Sequence, residues 1–452
     1  MSERSQFATR MGALAATVGS SVGLGNIWRF PYEAGEHGGG AFLLVYVACV
    51  LLVGVPVMVS EFVIGRGTHK NVVGAINELS NGRPYRQLSW VGVIASMLIT
   101  GYYCVVCGWI VEYLVQALAG HMSGLTSAEF SAMFTSFVSS PWRCALWTLL
   151  FLVINCLVML RGVQKGIERV AGVMMPLLFV ILLLFCGVAL TLPAAGQGLE
   201  FLFVPDFSKI TSSVVLGAMG QAFFSLSLGL TCLVTYASYF SDDVHLVRNA
   251  SWVAVLDTLV AILAGVMIFP IVFSYGMQPE AGPKLVFEVL PNIFQQMPGG
   301  YVWSVLFFLL LLFASLTSTI SLSEIPISFL QEERHMSRRS ATLLSTGIFM
   351  ALGVVCSMSF NVLSDFTFCG KTIFDFLDYV GSNIMLPISG LFFAIMVGWV
   401  VDRSFVRREL TNHGTVHVSP FMLRLLRVLI RWVAPVCVLL VFLYATGIFS
   451  LL

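Results

Sequence analysis

The sequence predicts an all-α integral membrane protein: eleven transmembrane helices, a 5+5 inverted repeat with helices one and six broken. Three observations carry this. Of 452 residues, 58% are hydrophobic and 10% charged, against about 25% charged in soluble domains. Eleven apolar segments approach or exceed the roughly 20 residues that cross a hydrocarbon core. Two of them, five spans apart, carry glycine and serine at mid-depth.

The spans, numbered one to eleven, are 10–34, 41–66, 88–119, 143–160, 168–193, 213–240, 247–276, 302–331, 341–358, 373–401 and 421–449. Several are longer than the core is thick and are expected to tilt. With the N-terminus inside, nineteen Lys and Arg fall on cytoplasmic segments and only Arg143, Lys209, Lys284 and Lys371 fall outside. That asymmetry puts the N-terminus in the cytoplasm and the C-terminus outside. MSERSQFATR has no short apolar core followed by a small-residue cleavage site, so the first helix is expected to be retained.

A net charge of +1 gives no basic footprint for nucleic acid. The ten cysteines are scattered, nearly all within apolar runs. Cys104 and Cys107 form a C-x-x-C without histidines or a second pair, which reads as helix packing and not as a zinc or disulfide site.

Span one contains ATVGSSVGLGNIWRFP (16–31), and span six contains GQAFFSLSLGLTCLVTYASYF with Ser225, Ser227 and Gly229 at its middle. No water inside a bilayer satisfies loose backbone groups, so such breaks survive only where they line an enclosed cavity or hold a ligand. Five is odd, so the second set of helices runs through the membrane in the opposite sense. Matched breaks in inverted halves point to a midplane transport site. The halves are 1–193 and 213–402, with 421–449 as an additional helix. Two long outer loops follow, 194–212 and 277–300. The latter holds GPKLVFEVLPNIFQQM, interrupted by Pro291, and reads either as a connection or as a lid dipping into a vestibule.

Ionisable residues within spans are functional-site candidates because burying charge is costly. They are Arg29, Glu33, Glu61, Glu112, Asp257, Glu324, Asp375 and Asp378. Glu112 sits near a span end within reach of the interface, and Asp375 at the solvated start of span ten. Asp257 lies in span seven among apolar neighbours, where a carboxylate takes a proton or sits beside a cation. Thr317 and Ser318 put adjacent hydroxyls on span eight, free to back-bond to their own helix or to face a ligand. Carboxylate, hydroxyl and carbonyl are hard oxygen donors, suited to Na⁺ rather than to a transition metal.

These residues lie in GSSVGLGNIWRFPYEAGEHGGGAF, RGVQKGIERVAGVMMP, PDFSKI, GQAFFSLSLG followed by TYASY, and ASLTSTIS. Together they resemble a bacterial, leucine-transporter-like member of the neurotransmitter:sodium symporter family, over some nine-tenths of the chain. The resemblance implies a sodium-coupled symporter in the bacterial inner membrane, with two Na⁺ sites and an amino-acid substrate. It leaves room for a homodimer. The first sodium site would use Ser21, Asn26, Ser225 and Asp257. The second would use the carbonyls of Gly19, Val22 and Ala314 and the hydroxyls of Thr317 and Ser318. The substrate carboxylate would meet the backbone N–H groups of Leu24 and Gly25 and the Tyr103 hydroxyl. Its ammonium would meet the Phe224–Ser227 segment, Ser225 included. The side-chain pocket would be Ile99, Tyr103, Phe224, Ser227, Leu230, Ser318 and Leu322.

Glycine at Gly23, where monoamine carriers have aspartate, implies an amino acid rather than an amine. An uncharged pocket implies a neutral apolar or aromatic side chain, since an unpaired buried charge costs several kcal/mol (roughly). Arg29 and Asp378 would gate the outer side, and Arg4, Glu332 and Tyr239, with Ser238, the inner side. Glu61 would hold the broken part of span six. Asp257 replaces the family's usual asparagine, and Ala261 stands where chloride-dependent members have serine, so chloride independence is expected. Glu324 replaces a glutamine, and span twelve of the family is not represented. Other classes fit less well: a channel needs a continuous polar stripe, a sensor usually carries a soluble domain, and an enzyme needs a nucleophile with its base or a metal set.

Overall fold

A computed structural model describes residues 6–276 and 284–448. Among them, nine helices are long and apolar enough to cross a membrane. They are Gly40–Thr68, Pro84–Leu118, Pro141–Leu160, Val163–Ala189, Leu246–Ser274, Gly300–Glu333, Arg338–Phe360, Ile373–Val400 and Pro420–Ala445. Each coincides with a sequence-predicted span. The two remaining predicted spans, one and six, are divided into shorter helical pieces.

In span one the helix Arg10–Ser21 starts where Thr9 Oγ1 accepts from Gly12 N at 2.8 Å, a side-chain cap on the first turn. It stops at Ser21, Val22 is extended (φ −67°, ψ 112°), and helical backbone resumes over 25–36. In span six the helix Ser212–Ser225 stops and Cys232–Ala237 resumes. Between them Ser227, Gly229 and Thr231 all have positive φ, of 53°, 78° and 64°. Only glycine suits position 229. A Cβ there would lie 2.3 Å from the Leu386 carbonyl oxygen, and the backbone is already left-handed.

The loose polar groups of the breaks find partners, as they must in an apolar medium. Gly23 N donates to Asn26 Oδ1 at 3.0 Å and Gly229 N to Glu61 Oε1 at 2.8 Å. Ser227 Oγ donates to the Ser20 carbonyl at 2.9 Å and Gln221 Nε2 to the Gly25 carbonyl at 3.0 Å, which ties the two breaks to each other.

The helix Gly300–Glu333 runs through the middle, packed along Pro84–Leu118 and also against Val163–Ala189 and Arg10–Ser21. The outer loop region around 285–296 is helical, with Leu285, Phe287, Leu290 and Phe294 fully or almost fully buried. Phe287 stacks on Phe134 (5.5 Å) and meets Tyr113 (4.9 Å) and Trp28 (6.4 Å) edge-on. This is the packing of a plug seated on the bundle rather than of a surface connection. Pro420–Ala445 is the least buried of the nine helices, at 22%, as befits a peripheral helix facing lipid. Glu112, near its span end, is buried and paired with Arg143.

Candidate functional site

Asp257 is completely buried and is the hub of a cluster drawn from four helices. Asn26 Nδ2 donates to Asp257 Oδ1 at 2.9 Å and to Ser225 Oγ at 2.9 Å. Ser225 Oγ donates to Asp257 Oδ2 at 2.7 Å. Tyr46 OH reaches the same Ser225 Oγ at 3.3 Å and Asp257 Oδ2 at 3.4 Å. Ser225 is the last helical residue before the break of span six and Asn26 follows the break of span one, so both breaks open onto one carboxylate. Ser21 is the last residue of the first half-helix, its hydroxyl bonded back to Thr17 O at 3.4 Å.

A second oxygen cluster forms between span one and span eight. Ser318 Oγ lies 3.5 Å from the Val22 carbonyl and 3.1 Å from that of Ala314. Thr317 Oγ1 is 3.1 Å from the same Ala314 carbonyl. A Cβ on Gly19 would be 3.3 Å from Thr317 Cβ, so the helices touch here. Gly19 and Val22 thus lie against Thr317 and Ser318, whose hydroxyls donate back to carbonyls of their own helix, Thr317 Oγ1 to Phe313 at 2.9 Å and Ser318 Oγ to Ala314 at 3.1 Å. Their carbonyls and hydroxyls are hard, neutral donors without a charge of their own.

Between the clusters the Tyr103 side chain reaches the Leu24 backbone and the Ser318 hydroxyl. Gly23 sits against that pair: a Cβ would fall 2.6 Å from Ser318 Oγ and 3.7 Å from Tyr103 OH. Gly25 faces Phe224, whose ring would be 2.9 Å from an added Cβ. Ile99 packs against Gly381, and Leu230 and Leu322 lie in the same buried core.

The gates differ from expectation. Arg29 does not bridge to Asp378. It lies 3.4 Å from Glu33 Oε1, four residues on along its own helix, and its guanidinium sits 4.7 Å from the centre of the Phe224 ring. Asp378 instead accepts from Ser382 Oγ at 3.0 Å, and Ser382 also bonds Tyr102 OH at 3.0 Å. An i,i+4 partner needs no domain closure, whereas Asp378 is on another helix. A cavity of 220 Å³ lies at this end, lined by Arg29, Glu33 and Phe224.

At the opposite end the segment before span one packs onto span six. Phe7 N donates to the Tyr239 carbonyl at 3.0 Å, and the Phe7 ring packs edge-on against Tyr236 and Tyr239. Glu332 accepts from the Asn71 backbone and side chain at 2.7 and 3.0 Å. Arg4 lies outside the described residues.

Three contributors escaped the sequence reading. Tyr46 and Gln221 are uncharged polar groups in apolar runs, and a search for ionisable residues passes over them; a buried hydroxyl or amide was the signal. The third is Arg338, counted as a loop charge. It holds the fully buried Glu324 through both carboxylate oxygens, at 2.6 and 2.7 Å, and Tyr239 OH donates to Glu324 at 2.6 Å. That network supplies the missing account of Glu324.

Among the described residues, nine membrane-length helices surround two interrupted segments that meet over one buried carboxylate, an arrangement that points to a polytopic transporter. The family model of the sodium:neurotransmitter symporter family matches residues 4–131 and 129–450, and the chain belongs to that family; it is a sodium-dependent symporter. Curated relatives include the uncharacterized sodium-dependent transporter YhdH of Bacillus subtilis, 38% identical over 445 residues, covering 98% of each chain. Another, an uncharacterized sodium-dependent transporter of Haemophilus influenzae, is 34% identical and covers 97% of this chain and 98% of its own. The crystal structure of MhsT in complex with L-phenylalanine superposes with a TM-score of 0.90 at 41% identity, over 98% of this chain and 100% of that one.

Proposed function

We propose that this protein carries a neutral apolar or aromatic L-amino acid together with Na⁺ across a bacterial plasma membrane by alternating access, without chloride. The observation that carries this is the convergence of both helix ends on Asp257, with Tyr103 set against Gly23 and Phe224 against Gly25 beside it. The L-phenylalanine bound by MhsT supports the substrate class.

In this reading the bundle has eleven spans, the nine uninterrupted ones plus broken spans one and six. Residues 1–193 and 213–402 are inverted repeats, and the N-terminus is cytoplasmic. One Na⁺ binds at Ser21, Asn26, Ser225 and Asp257, and the other at Gly19, Val22, Ala314, Thr317 and Ser318. The substrate carboxylate joins the first ion, so each ligand raises the affinity of the other. Its ammonium meets the Phe224–Ser227 backbone, and Gly23 leaves the room. Arg29 exchanges Glu33 for Asp378 as the outer gate closes, while the Phe7–Tyr239 and Glu324–Arg338 contacts break as the inner gate opens. Glu61 keeps span six broken throughout.

Two charges of Na⁺ enter a low-dielectric site with a zwitterion, and Asp257 offsets one of them without a mobile anion. Uptake by cells or proteoliposomes is therefore expected to be equal in chloride and in gluconate; collapse in gluconate would refute chloride independence. Binding of a labelled amino-acid panel to the purified protein is expected only with Na⁺, and strongest for neutral apolar and aromatic members. Binding that ignores Na⁺, or that favours charged or amine ligands, would overturn the assignment.

A further inference from the structure

We propose that the cavity between segment 403–418 and the helix Pro420–Ala445 binds the phosphate headgroup of an anionic phospholipid. The cavity measures 670 Å³, and its wall carries Arg403, Arg407, Arg424, Arg427, Arg431 and His417 with no carboxylate. Arg424, Arg427 and Arg431 are spaced three and four apart on one helix, so they share a face. Arg403 and Arg407 do the same on the helix Arg403–Leu410. Both faces turn toward the same space.

The acids nearest in sequence are engaged elsewhere. Asp402 caps its own helix at Ser404 N (3.0 Å), and Glu409 is held by the buried Arg66 at 2.8 Å. Arg403, Arg407, Arg424 and Arg427 have no ion pair among the described residues. Arg431 stacks 3.9 Å from the Trp399 ring centre, and its Nε is buried with no hydrogen-bond partner. Five cations facing one another around a cavity repel, and the arrangement is relieved by an anion within it. Arginine forks match phosphate oxygens two at a time.

The surroundings favour a lipid over a free anion. Trp399 and Trp432 pack edge-on at 4.6 Å and are both exposed, as tryptophans at a membrane–water boundary are. Phe421, Val428 and Val436 leave more than half of their surface exposed on the same helix, an apolar face for acyl chains. A phospholipid satisfies the arginines and that face together, whereas inorganic phosphate reaches the arginines alone.

The test uses the purified full-length protein in detergent, titrated with dioleoylphosphatidylglycerol, dioleoylphosphatidylcholine or sodium phosphate, reading bound lipid by native mass spectrometry and the melting temperature. Phosphatidylglycerol is expected to stay bound and raise the melting temperature, phosphatidylcholine is not, and sodium phosphate is expected not to displace the lipid. Arg424→Gln/Arg427→Gln is expected to weaken phosphatidylglycerol retention about tenfold or more, with Na⁺-dependent amino-acid binding unchanged. Equal retention of the two lipids, or retention by the variant equal to that of the parent, would overturn the proposal. Full displacement by phosphate would reassign the cavity to a free anion. Should the double variant not fold, Arg407→Gln reads the same loss at smaller size.

Discussion

Asp257→Asn is expected to weaken Na⁺-dependent substrate binding on the order of 100-fold, the effect of removing one partner of a buried charge pair at about 3 kcal/mol. The geometry adds a second expectation. Asn26 Nδ2, Ser225 Oγ and Tyr46 OH all point at this carboxylate. Without it three donors face a site with no anionic acceptor, and an unpaired buried donor is costly. The asparagine fills the same volume and Ala261 supplies no hydroxyl for an anion, so nothing restores the missing negative charge. The variant is therefore expected to lose binding equally in chloride and in gluconate, measured as Na⁺-dependent binding of labelled substrate at fixed Na⁺. Equal binding by variant and parent in gluconate would show that Asp257 supplies no charge to the proposed sodium site.

Arg338→Ala is expected to cost about 3–5 kcal/mol of stability, because it strands Glu324, which is fully buried. The same change cuts the link through Glu324 to Tyr239, which joins span eight to the second half of span six. The Phe7–Tyr239 end is then expected to open more often, seen as faster alkylation of an engineered cysteine near Tyr236. Adding Glu324→Gln removes the orphaned charge and is expected to recover much of the stability, but not the closed gate. A melting temperature unchanged by Arg338→Ala, or no recovery in the double variant, would show the pair to be decorative.

The spans were legible because hydropathy along a chain is a local property, and nine of the predicted segments recur as uninterrupted helices. The interruptions in the apolar pattern were legible for the same reason. Gly and Ser at mid-depth contradict a helix in lipid, and the structure shows helices stopping at Ser21 and Ser225. Asp257, Thr317 and Ser318 stood out as polar atoms in apolar runs. Their gathering with Asn26 and with the Val22 carbonyl joins residues more than two hundred positions apart, and sequence alone supplied it only through a family resemblance.

Tertiary structure decided the pairings. Arg29 had two carboxylates within conceivable reach; the helix geometry of 25–36 places Glu33 one turn away, while Asp378 depends on how two helix groups approach. Arg338 and Glu324 are fourteen residues apart, across a helix end, and read separately as a loop charge and an unexplained buried acid. Tyr46 is one more aromatic in an apolar run until its hydroxyl is seen on the Asp257 carboxylate. What the sequence determined is where polar atoms must enter the membrane, because burial without partners is costly wherever it occurs. Which partners they meet depends on helix packing across long separations, and for span one this means that the carboxyl group beside its break comes from span seven.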